Sequence, residues 1–435
     1  MSIFATMNIK ELYEIYLRYP NVQTDTRKLQ TGDIFFALKG PNFNGNLFAQ
    51  QALDAGAAYA VIDEQEFEIK GKTILVEDVL TALQQLANYH RGQFNIPFIA
   101  ITGSNGKTTT KELIHAVLSA KYKVYTTEGN LNNHIGIPLT LLKVKSDAEI
   151  AVVEMGANHL REIEGYCRVA EPTHGLITNC GKAHLEGFGS LEGVRKGKGE
   201  LFDYLRTRED STAFIMKDYD YLQDMSRNIA HIVTYGTHDA MITGKAETKG
   251  ELLAVEVSID GTVIHIATQL VGDYNLPNVL AAVALGHEFD VPADQIKTAI
   301  KNYKPSNSRS QLVEAGSNKI ILDAYNANPS SMKLAVENLA GIQADKKVLM
   351  IGAMAEMGDE TAIEHETLIN QVKKSTWHQV VLVGKPFLPY SKDFVYFDNS
   401  ADAANWAQQQ HFENAYILIK GSRSSQMEKI LTAIT

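Results

Sequence analysis

Short runs of apolar residues alternate along the chain with segments in which apolar positions recur every three or four residues. The first pattern is typical of buried strands and the second of amphipathic helices. The alternation predicts an α/β fold whose mainly parallel sheets are covered by helices on both faces and bind ligands at the carboxyl ends of their strands. The strand-like runs are residues 33–38, 57–63, 98–102, 123–127, 149–155, 174–179, 319–325, 347–354, 379–384 and 415–421.

Two polar, turn-rich segments divide this pattern into three parts. The first, RGQFNIP (91–97), contains Gly92 and Pro97, and the second, NYKPSNSRSQ, covers residues 302–311. A length of 435 residues is about three times that of a typical domain, which agrees with the division. We predict three domains, which cover residues 1–91, 92–303 and 304–435.

The composition narrows the classes of protein to which the chain can belong. Hydrophobic residues make up 45% and charged residues 21%, which is typical of a globular protein and excludes a disordered or fibrous one. The net charge is 41 − 51 = −10, so the bulk charge does not favour a nucleic acid partner. Two cysteines predict no disulfide framework and a reducing compartment. Because we find neither an apolar stretch of about 18 residues nor a signal-peptide pattern, we expect a cytoplasmic protein that spans no membrane.

The strongest chemical signal is FIAITGSNGKTTTKE (98–112), in which an apolar strand meets a glycine-containing loop that opens a helix. In such an arrangement, backbone N–H groups and the helix N-terminus bind phosphate, Lys107 reaches the β- and γ-phosphates, and the Thr108 hydroxyl binds Mg²⁺. The general phosphate-loop pattern has a glycine where Ile101 stands, so this interpretation depends on the strand-to-helix context. The alternative is an ordinary glycine turn capped by a threonine.

Two further segments carry candidate metal ligands. Glu154 ends the predicted strand in AVVEMGAN (151–158), where a carboxylate can hold a hard cation beside the phosphates. Its alternative role is that of a strand-end or helix-capping acid. His184 lies in TNCGKAHLEGFGS (178–190), in a loop after the next predicted strand, where a lone histidine is more often structural or solvated than a ligand.

Lys198 interrupts the apolar face of a predicted helix, which is formed by Leu191, Val194, Leu201 and Leu205. Burial removes the solvation of an ammonium group and lowers its pKa, so a neutral amine becomes available for chemistry or modification. The alternatives are a side chain that extends to solvent and an ion pair with an acid such as Glu200.

Further polar residues are candidates for nucleotide binding. Asn275 and Asn278 lie where an alanine-rich helix begins, and we expect one of them to cap the helix and the other to offer its amide to a base edge. In the last third of the chain, Arg309 suits a phosphate and Asp323 suits a ribose hydroxyl. The alternative for both is an ordinary surface position.

Seven segments resemble the Mur ligase family in their order and spacing, and together they extend over nearly the whole chain. Within the family, AHLEGFGS and YNANP point to the member that adds D-alanyl-D-alanine, and the DNPR motif of the diaminopimelate-adding member is absent. The seven segments are TGSNGKTTTKE (102–112), EGNLNNHIGIPLT (128–140), VEMGAN (153–158), AHLEGFGS (183–190), KGE (198–200), DAYNANPSSM (323–332) and KGSRSSQME (420–428).

The resemblance implies three α/β domains: a small N-terminal domain for the UDP part of the substrate, a central ATP-binding domain with a mainly parallel P-loop-type sheet, and a dinucleotide-binding-like C-terminal domain that closes over the site. It also implies an ATP- and magnesium-dependent ligase of peptidoglycan precursor synthesis. Such an enzyme joins D-alanyl-D-alanine to the peptide carboxylate of a UDP-N-acetylmuramoyl tripeptide through an acyl phosphate. We expect a monomer.

The family pattern further implies roles for individual residues. Thr108 and Glu154 would hold one Mg²⁺, and His184 with a carbamylated Lys198 would hold a second. Asn278 would meet adenine, Asp323 ribose and Arg309 the phosphates. The phosphate loop would consist of Gly103, Ser104, Asn105, Gly106, Lys107, Thr108 and Thr109, and substrate contacts would come from Thr26, Arg27, Lys39, Asn132, Asn133, Tyr325, Asn326 and Asn328.

The chain departs from the family pattern in two segments. It has FNGNLF (43–48) where the family often has FDGHxF, and Ala353 where the family often has an aspartate. Three alternative functions compete with the ligase: a P-loop phosphotransferase or ATPase that needs no amine acceptor, an inactive nucleotide-sugar-binding relative, and a folylpolyglutamate synthetase. The last shares the phosphate loop but does not explain YNANP or the UDP-type N-terminal segment.

Overall fold

The computed structural model describes residues 8–247, 251–306 and 308–435, which form three α/β units. Each unit is built on its own main sheet, and none of the sheets in the described residues combines strands from two units. The predicted fold class is therefore confirmed. None of the described helices is both long enough and apolar enough to cross a membrane.

The first unit contains a four-stranded parallel sheet and a small hairpin. Its elements are α1 (Ile9–Arg18), β1 (Val22–Gln23), β2 (Ile34–Phe36), β3 (Lys39–Gly40), β4 (Phe43–Asn44), α2 (Ala49–Asp54), β5 (Tyr59–Ile62), β6 (Thr73–Leu75) and α3 (Val79–Arg91). The sheet has the order β1-β2-β5-β6, and β3 pairs with β4. Asn8 caps α1 and Glu11 accepts a hydrogen bond from the backbone N–H of Asn8, which explains why α1 begins at Ile9.

The central unit is built on a nine-stranded sheet. Its strands are β7 (Phe98–Thr102), β8 (Val124–Thr126), β9 (Ile150–Glu154), β10 (His174–Ile177), β11 (Thr212–Met216), β12 (His231–Gly236), β13 (Ile242–Ala246), β14 (Leu252–Ile259) and β15 (Thr262–Val271). Its helices are α4 (Lys107–Leu118), α5 (Gly136–Leu142), α6 (Glu162–Ala170), α7 (Leu185–Phe188), α8 (Leu191–Leu205), α9 (Asp220–Met225), α10 (Leu276–Glu288) and α11 (Ala293–Asn302).

The order of the central sheet is β15-β14-β13-β12-β11-β10-β7-β9-β8, and the strands from β8 to β13 run parallel. The strands β7 to β10 match predicted strands, whereas the five strands that extend the sheet were not predicted from the sequence. Of these, β14 and β15 form an antiparallel hairpin, and Asp260 and Gly261 connect them. An Asp-Gly pair between two alternating runs is a recognised hairpin signal, so the sequence contained the information for this pair.

The third unit has a six-stranded sheet whose two faces are both buried. Its elements are β16 (Gln311–Ala315), β17 (Asn318–Asp323), α12 (Pro329–Gly341), β18 (Lys346–Gly352), α13 (Thr361–Val372), β19 (Gln379–Val383), β20 (Val395–Phe397), α14 (Ser400–Gln408), β21 (Ala415–Lys420) and α15 (Glu428–Ile434). The order is β16-β17-β21-β18-β19-β20, with only β16 antiparallel to its neighbour in this described sheet. Along β18, Leu349 and Ile351 join one core while Val348 and Met350 join the other, which explains the continuous apolar run.

Arg91 ties the first unit to the central unit, in a segment predicted to be a linker. Its side chain is 7% exposed and its guanidinium donates to the carbonyl oxygens of Ala170, Glu171 and Phe94 at 2.8–3.1 Å. It also stacks 3.9 Å from the centroid of the Phe98 ring. The planar, five-donor geometry of arginine suits three carbonyls at once.

We expect Arg91→Lys to lower the free energy of unfolding by about 2 kcal/mol, because the single nitrogen of an ammonium group cannot reach three carbonyls that are met by three separate guanidinium nitrogens, and because it lacks the planar stacking surface. Urea denaturation of the intact protein measures this change. Arg168→Lys is the matched control, because the side chain of Arg168 is 72% exposed and pairs only with Glu164 within the described residues. An equal effect of the two substitutions would contradict the assigned role of Arg91.

Candidate active site

A cavity of about 880 Å³ lies between the central and third units. Residues at or just after the carboxyl ends of β7, β9 and β10 line one side, and residues at the ends of β17 and β21 line the other. Parallel α/β sheets bind ligands at this edge, as the strand pattern predicts. Sixteen predicted site residues line the cavity: Ser104, Asn105, Gly106, Lys107, Thr108, Thr109, Asn132, Asn133, Glu154, His184, Asn278, Arg309, Asp323, Tyr325, Asn326 and Asn328.

The phosphate loop connects β7 to α4, as predicted from its sequence. The N–H groups of Ser104 and Asn105 are not available to an anion in this structure, because they donate to the backbone and side-chain oxygens of Asn179 at 2.8 and 3.2 Å. The N–H groups in the first turn of α4 have no acceptor within the helix, and no side chain in the described part of the chain caps this end. The N-terminus of α4 is therefore the part of the loop whose N–H groups are available to an anion.

The position of Gly106 requires a glycine, because of both its backbone conformation and the space around it. Its φ angle is 81°, and a Cβ at this position would lie 2.5 Å from the Oδ1 atom of Asn278. A side chain would therefore meet strain and a clash together. Gly103, at the start of the loop, does not line the cavity but has a similar constraint, because its Cβ would lie 2.0 Å from the Oγ1 atom of Thr178.

Lys107 is folded back onto the phosphate loop. Its Nζ atom donates to the carbonyl oxygens of Gly103 and Ser104 at 2.6 and 3.3 Å. Burial lowers the pKa of Lys107, whereas the carboxylate of Glu154 opposes that shift. A phosphate would have to replace these carbonyls as the partner of the ammonium group, as the predicted role of Lys107 requires.

Glu154 is the last residue of β9 and is 1% exposed. Its Oε1 atom accepts a hydrogen bond from the Asn132 side chain at 2.8 Å, and its Oε2 atom is buried without a hydrogen-bond partner among the described residues. A buried, unpartnered carboxylate oxygen is costly unless a cation meets it. With the buried Thr108 hydroxyl lining the same cavity, these oxygen donors fit a hard divalent cation.

His184 lies in the left-handed region of backbone conformation, with a φ angle of 52°. Its Nδ1 atom forms a hydrogen bond with the Glu356 carboxylate, which belongs to the loop after β18 in the third unit. Histidines that bind metals commonly use their second ring nitrogen to contact a carboxylate in this way. Glu356 is not among the predicted site residues, because its contact with His184 depends on how two separate units pack.

Lys198 lies on α8 and is completely buried, as the apolar stripe predicts. Its Nζ atom donates to the carbonyl oxygen of Ala157 at 2.8 Å, so it lies directly behind a residue that lines the cavity rather than in the lining. Burial lowers the pKa of Lys198 to about 7, and the nearby Lys107 contributes to that shift. The alternative of an ion pair with Glu200 is wrong, because the Glu200 carboxylate accepts hydrogen bonds from the backbone N–H groups of Arg161 and Glu164.

Asn275 is the N-cap residue of α10, as one of the two predicted alternatives requires, but within the described residues its side chain makes no capping hydrogen bond. The Asn275 side chain donates to the carbonyl oxygen of Val271 at 2.8 Å, and the Asn278 side chain donates to the Oδ1 atom of Asn275 at the same distance. The Asn278 Oδ1 atom also accepts from the Thr110 hydroxyl at 3.0 Å. These bonds connect α10 to α4, so Asn278 helps to hold the helix that carries the phosphate loop.

Arg309 and Asp323 enter the cavity from the third unit. The Arg309 guanidinium stacks on Tyr325, 3.6 Å from its ring centroid, and its buried Nε atom has no hydrogen-bond partner among the described residues. Asp323 already has a cationic partner, because its Oδ2 atom accepts from the Nζ atom of Lys420 at 2.5 Å. Lys420 is 1% exposed and was not among the predicted site residues.

The three predicted contacts with a uridine nucleotide lie outside this cavity. Thr26 follows Asp25, whose carboxylate pairs with the exposed Arg27 side chain at 2.8 Å. Lys39 pairs with Asp63 and Glu64 at 3.0 and 3.4 Å. The two asparagines that depart from the family pattern bind the same two acids: Asn44 donates to Glu64, and Asn46 donates to Asp63.

Comparison of the chain with known proteins shows the family to which it belongs. The model of the Mur ligase catalytic domain matches residues 18–91, that of the Mur ligase middle domain matches residues 101–286, and that of the glutamate ligase domain matches residues 308–423. The chain is 34% identical to the UDP-N-acetylmuramoyl-tripeptide–D-alanyl-D-alanine ligase of Bacillus subtilis over 94% of this chain and 92% of that protein. The chain belongs to the Mur ligase family. The ligase of the same name from Escherichia coli is also 34% identical, over 95% of this Mur ligase and 93% of the relative.

Solved structures support the same family at the level of the fold. A crystal structure of MurF from Acinetobacter baumannii has a TM-score of 0.86 and 29% identity, and the match covers 95% of this Mur ligase and 93% of that chain. The structure of MurF from Thermotoga maritima in complex with ADP also has a TM-score of 0.86, with 25% identity over 96% and 97% of the two chains.

Proposed function

We propose that this Mur ligase joins D-alanyl-D-alanine to the peptide carboxylate of a UDP-N-acetylmuramoyl tripeptide, with ATP as the source of phosphate activation. The observation that carries the proposal is the cavity itself, where the α4 N-terminus and the unpartnered Glu154 oxygen face residues of the YNANP segment. The relatives that extend over more than nine-tenths of this chain have that activity in their names. The reaction would serve peptidoglycan precursor synthesis in the cytoplasm.

The reaction has two chemical steps. In the first, a carboxylate oxygen of the tripeptide attacks the γ-phosphorus of ATP, the bond to the β-phosphate bridging oxygen breaks, and ADP leaves. In the second, the amine of D-alanyl-D-alanine attacks the acyl carbon, the C–O bond to phosphate breaks, and the ammonium proton is lost. The first step brings two anions together, so cationic and N–H groups must hold them in line.

For the first step, we assign phosphate binding to the N-terminus of α4, Lys107 and Arg309. The free N–H groups of residues 107–109 point along the helix axis, and the Arg309 guanidinium has an unused buried donor. Adenine would contact Asn278, and ribose would contact Asp323. Because both side chains already have internal hydrogen bonds, each would use a remaining lone pair or N–H for the nucleotide.

For magnesium, we assign Thr108 and Glu154 to one ion, and His184 with a carbamylated Lys198 to a second. Bound Mg²⁺ would neutralise charge on the phosphates and stabilise the developing negative charge. Two observations support this assignment. The buried Oε2 atom of Glu154 has no hydrogen-bond partner among the described residues, and the His184 ring is oriented by the contact of its Nδ1 atom with Glu356.

The remaining assignments concern the two other substrates. Asn132, Asn133, Tyr325, Asn326 and Asn328 would contact the tripeptide or the amine, since all five line the cavity. Thr26, Arg27 and Lys39 would contact the uridine nucleotide on the first unit. We also propose domains at residues 1–91, 92–303 and 304–435, and a monomeric enzyme.

We expect phosphate release to require the UDP-muramoyl tripeptide and D-alanyl-D-alanine together, with equal amounts of phosphate and new amide. The assay would use the lysine and the diaminopimelate forms of the tripeptide, each with and without the dipeptide, and mass spectrometry would identify the product. Equal ATP turnover with both substrates omitted would support the ATPase alternative. Glutamate transfer to a folate without any activity on the muramoyl substrates would support the folylpolyglutamate synthetase alternative.

A further inference from the structure

One short loop contacts both the phosphate loop and the third unit. This bridging loop, residues 179–184, lies between β10 and α7. On its central side, Ser104 donates from its backbone N–H to the carbonyl oxygen of Asn179 and from its hydroxyl to that of Gly181, both at 2.8 Å. The bridging loop is therefore held directly by the residues that precede the α4 N-terminus.

On its other side, the bridging loop is held by the third unit through Lys182. The backbone N–H of Lys182 donates to the Ser330 hydroxyl at 3.0 Å, and its Nζ atom donates to the Glu364 carboxylate at 2.6 Å. A Cβ on Gly181 would lie 2.7 Å from the Ser330 hydroxyl oxygen, so the glycine permits the close approach. A hydrogen-bonded path thus runs from the phosphate loop to α12 and α13.

The ion pair between Lys182 and Glu364 is asymmetric in its burial. The side chain of Glu364 is 4% exposed, whereas that of Lys182 is 50% exposed. Within the described residues, Lys182 supplies the only hydrogen bond and the only ion pair that the structure gives to this carboxylate. A buried carboxylate is stabilised by an opposite charge at hydrogen-bond distance and destabilised by its removal. Because the two residues belong to different units, this stabilisation exists only while the units are docked.

We infer that Lys182 and Glu364 form an interdomain latch that positions the bridging loop and keeps the third unit docked over the phosphate loop. The inference rests on the proposed function where it concerns the amine step, since the docked unit excludes water from the acyl phosphate until the amine arrives. Lys182 and Glu364 are positioning residues in this account. When the units separate, water solvates both charged groups, so loss of the pair shifts docking more than it lowers the stability of each unit.

Single substitutions of the pair test this inference in the full-length protein. We expect Glu364→Gln and Lys182→Met each to raise the radius of gyration of the ADP-bound protein in small-angle scattering. Each should also raise the KM for D-alanyl-D-alanine by about tenfold, in the range expected for loss of a partly buried charge pair. Phosphate released per amide formed should rise above that of the wild type, because water competes for the acyl phosphate. The melting temperature should change little.

Charge reversal and a matched control separate the latch from general damage. The double variant Lys182→Glu with Glu364→Lys restores opposite charges. Its radius of gyration and its ratio of phosphate released to amide formed should therefore lie closer to those of the wild type than the values of either single variant. The control pair is Lys333 and Glu337, which lie four residues apart on α12 with side chains 63% and 52% exposed. Lys333→Met and Glu337→Gln should behave as the wild type in every measurement.

The outcomes divide clearly. The latch proposal would be overturned if folded Glu364→Gln or Lys182→Met protein had the same radius of gyration, the same KM for D-alanyl-D-alanine and the same ratio of phosphate to amide as the wild type. If the charge-reversed protein fails to fold, the single variants decide the question. The scattering comparison requires only the nucleotide and neither of the other substrates. If the wild-type protein made no amide, the proposed function would be refuted, but scattering would still test the latch.

Discussion

Lys107→Ala is expected to reduce kcat by about 10²- to 10³-fold while the protein stays folded, since a group that binds developing phosphate charge contributes mainly to the transition state. In the structure, the Nζ atom of Lys107 contacts only the carbonyl oxygens of Gly103 and Ser104 among the described residues. These two backbone contacts are local to the phosphate loop, so their loss should leave the sheet and helices intact. Steady-state kinetics with both substrates, together with circular dichroism, would measure the two effects.

The control for this experiment is Lys123→Ala. The side chain of Lys123 is 60% exposed and pairs with Asp147 at 4.0 Å, outside the lining of the cavity. Its removal should change neither kcat nor KM beyond about twofold. If folded Lys107→Ala kept activity within a few-fold of the wild type, the phosphate site would lie elsewhere, and the assignments of Thr108 and Glu154 would have to be revised with it.

The sequence predicted best those features that depend on local periodicity. The strand at 98–102 and the helix that begins at Lys107 appear at the predicted residues, because a continuous apolar run and a glycine-threonine boundary each determine their own local structure. The burial of Lys198 was predicted for the same reason. The helical period alone places Lys198 on the apolar face of α8, independently of how the rest of the chain folds.

Contacts between the units could not be predicted in this way. The pairing of Asn105 with Asn328 joins residues 223 positions apart, and that of His184 with Glu356 joins residues 172 apart. Such contacts depend on the angle at which two independently folded units dock, which no local pattern encodes. Lys182 and Glu364 were missed for this reason. The partner of Asp323 was missed for a different one, because Lys420 lies on β21, which pairs with β17 in the same sheet, and the order of strands in a sheet is not encoded by local periodicity.

Replacement of Lys198 is the second experiment with a large expected effect. We propose that the neutral amine of Lys198 adds to the carbon of CO₂, which forms an N–C bond, releases one proton and leaves a carbamate anion. The proposal rests on complete burial of the side chain directly behind the cavity wall and on a pKa lowered to about 7, both of which favour the neutral amine. A carbamate in an apolar site is stable only if a cation meets it, which is the role assigned to the second Mg²⁺.

We expect Lys198→Ala to lower kcat by about 10²-fold or more, as for loss of a metal ligand, and Lys198→Arg to fail to restore it, because a guanidinium keeps the wrong charge. A small carboxylic acid at high concentration should partly rescue the alanine variant by occupying the vacated carboxylate position. Lys196→Ala is the matched control, since Lys196 lies on the same helix but is exposed. Labelling with ¹³C-bicarbonate should give a carbamate signal in the wild type that both Lys198 variants lack. Full activity of Lys198→Arg, or an active, metal-loaded enzyme with an unmodified Lys198, would show instead that the buried ammonium only holds the carbonyl of Ala157.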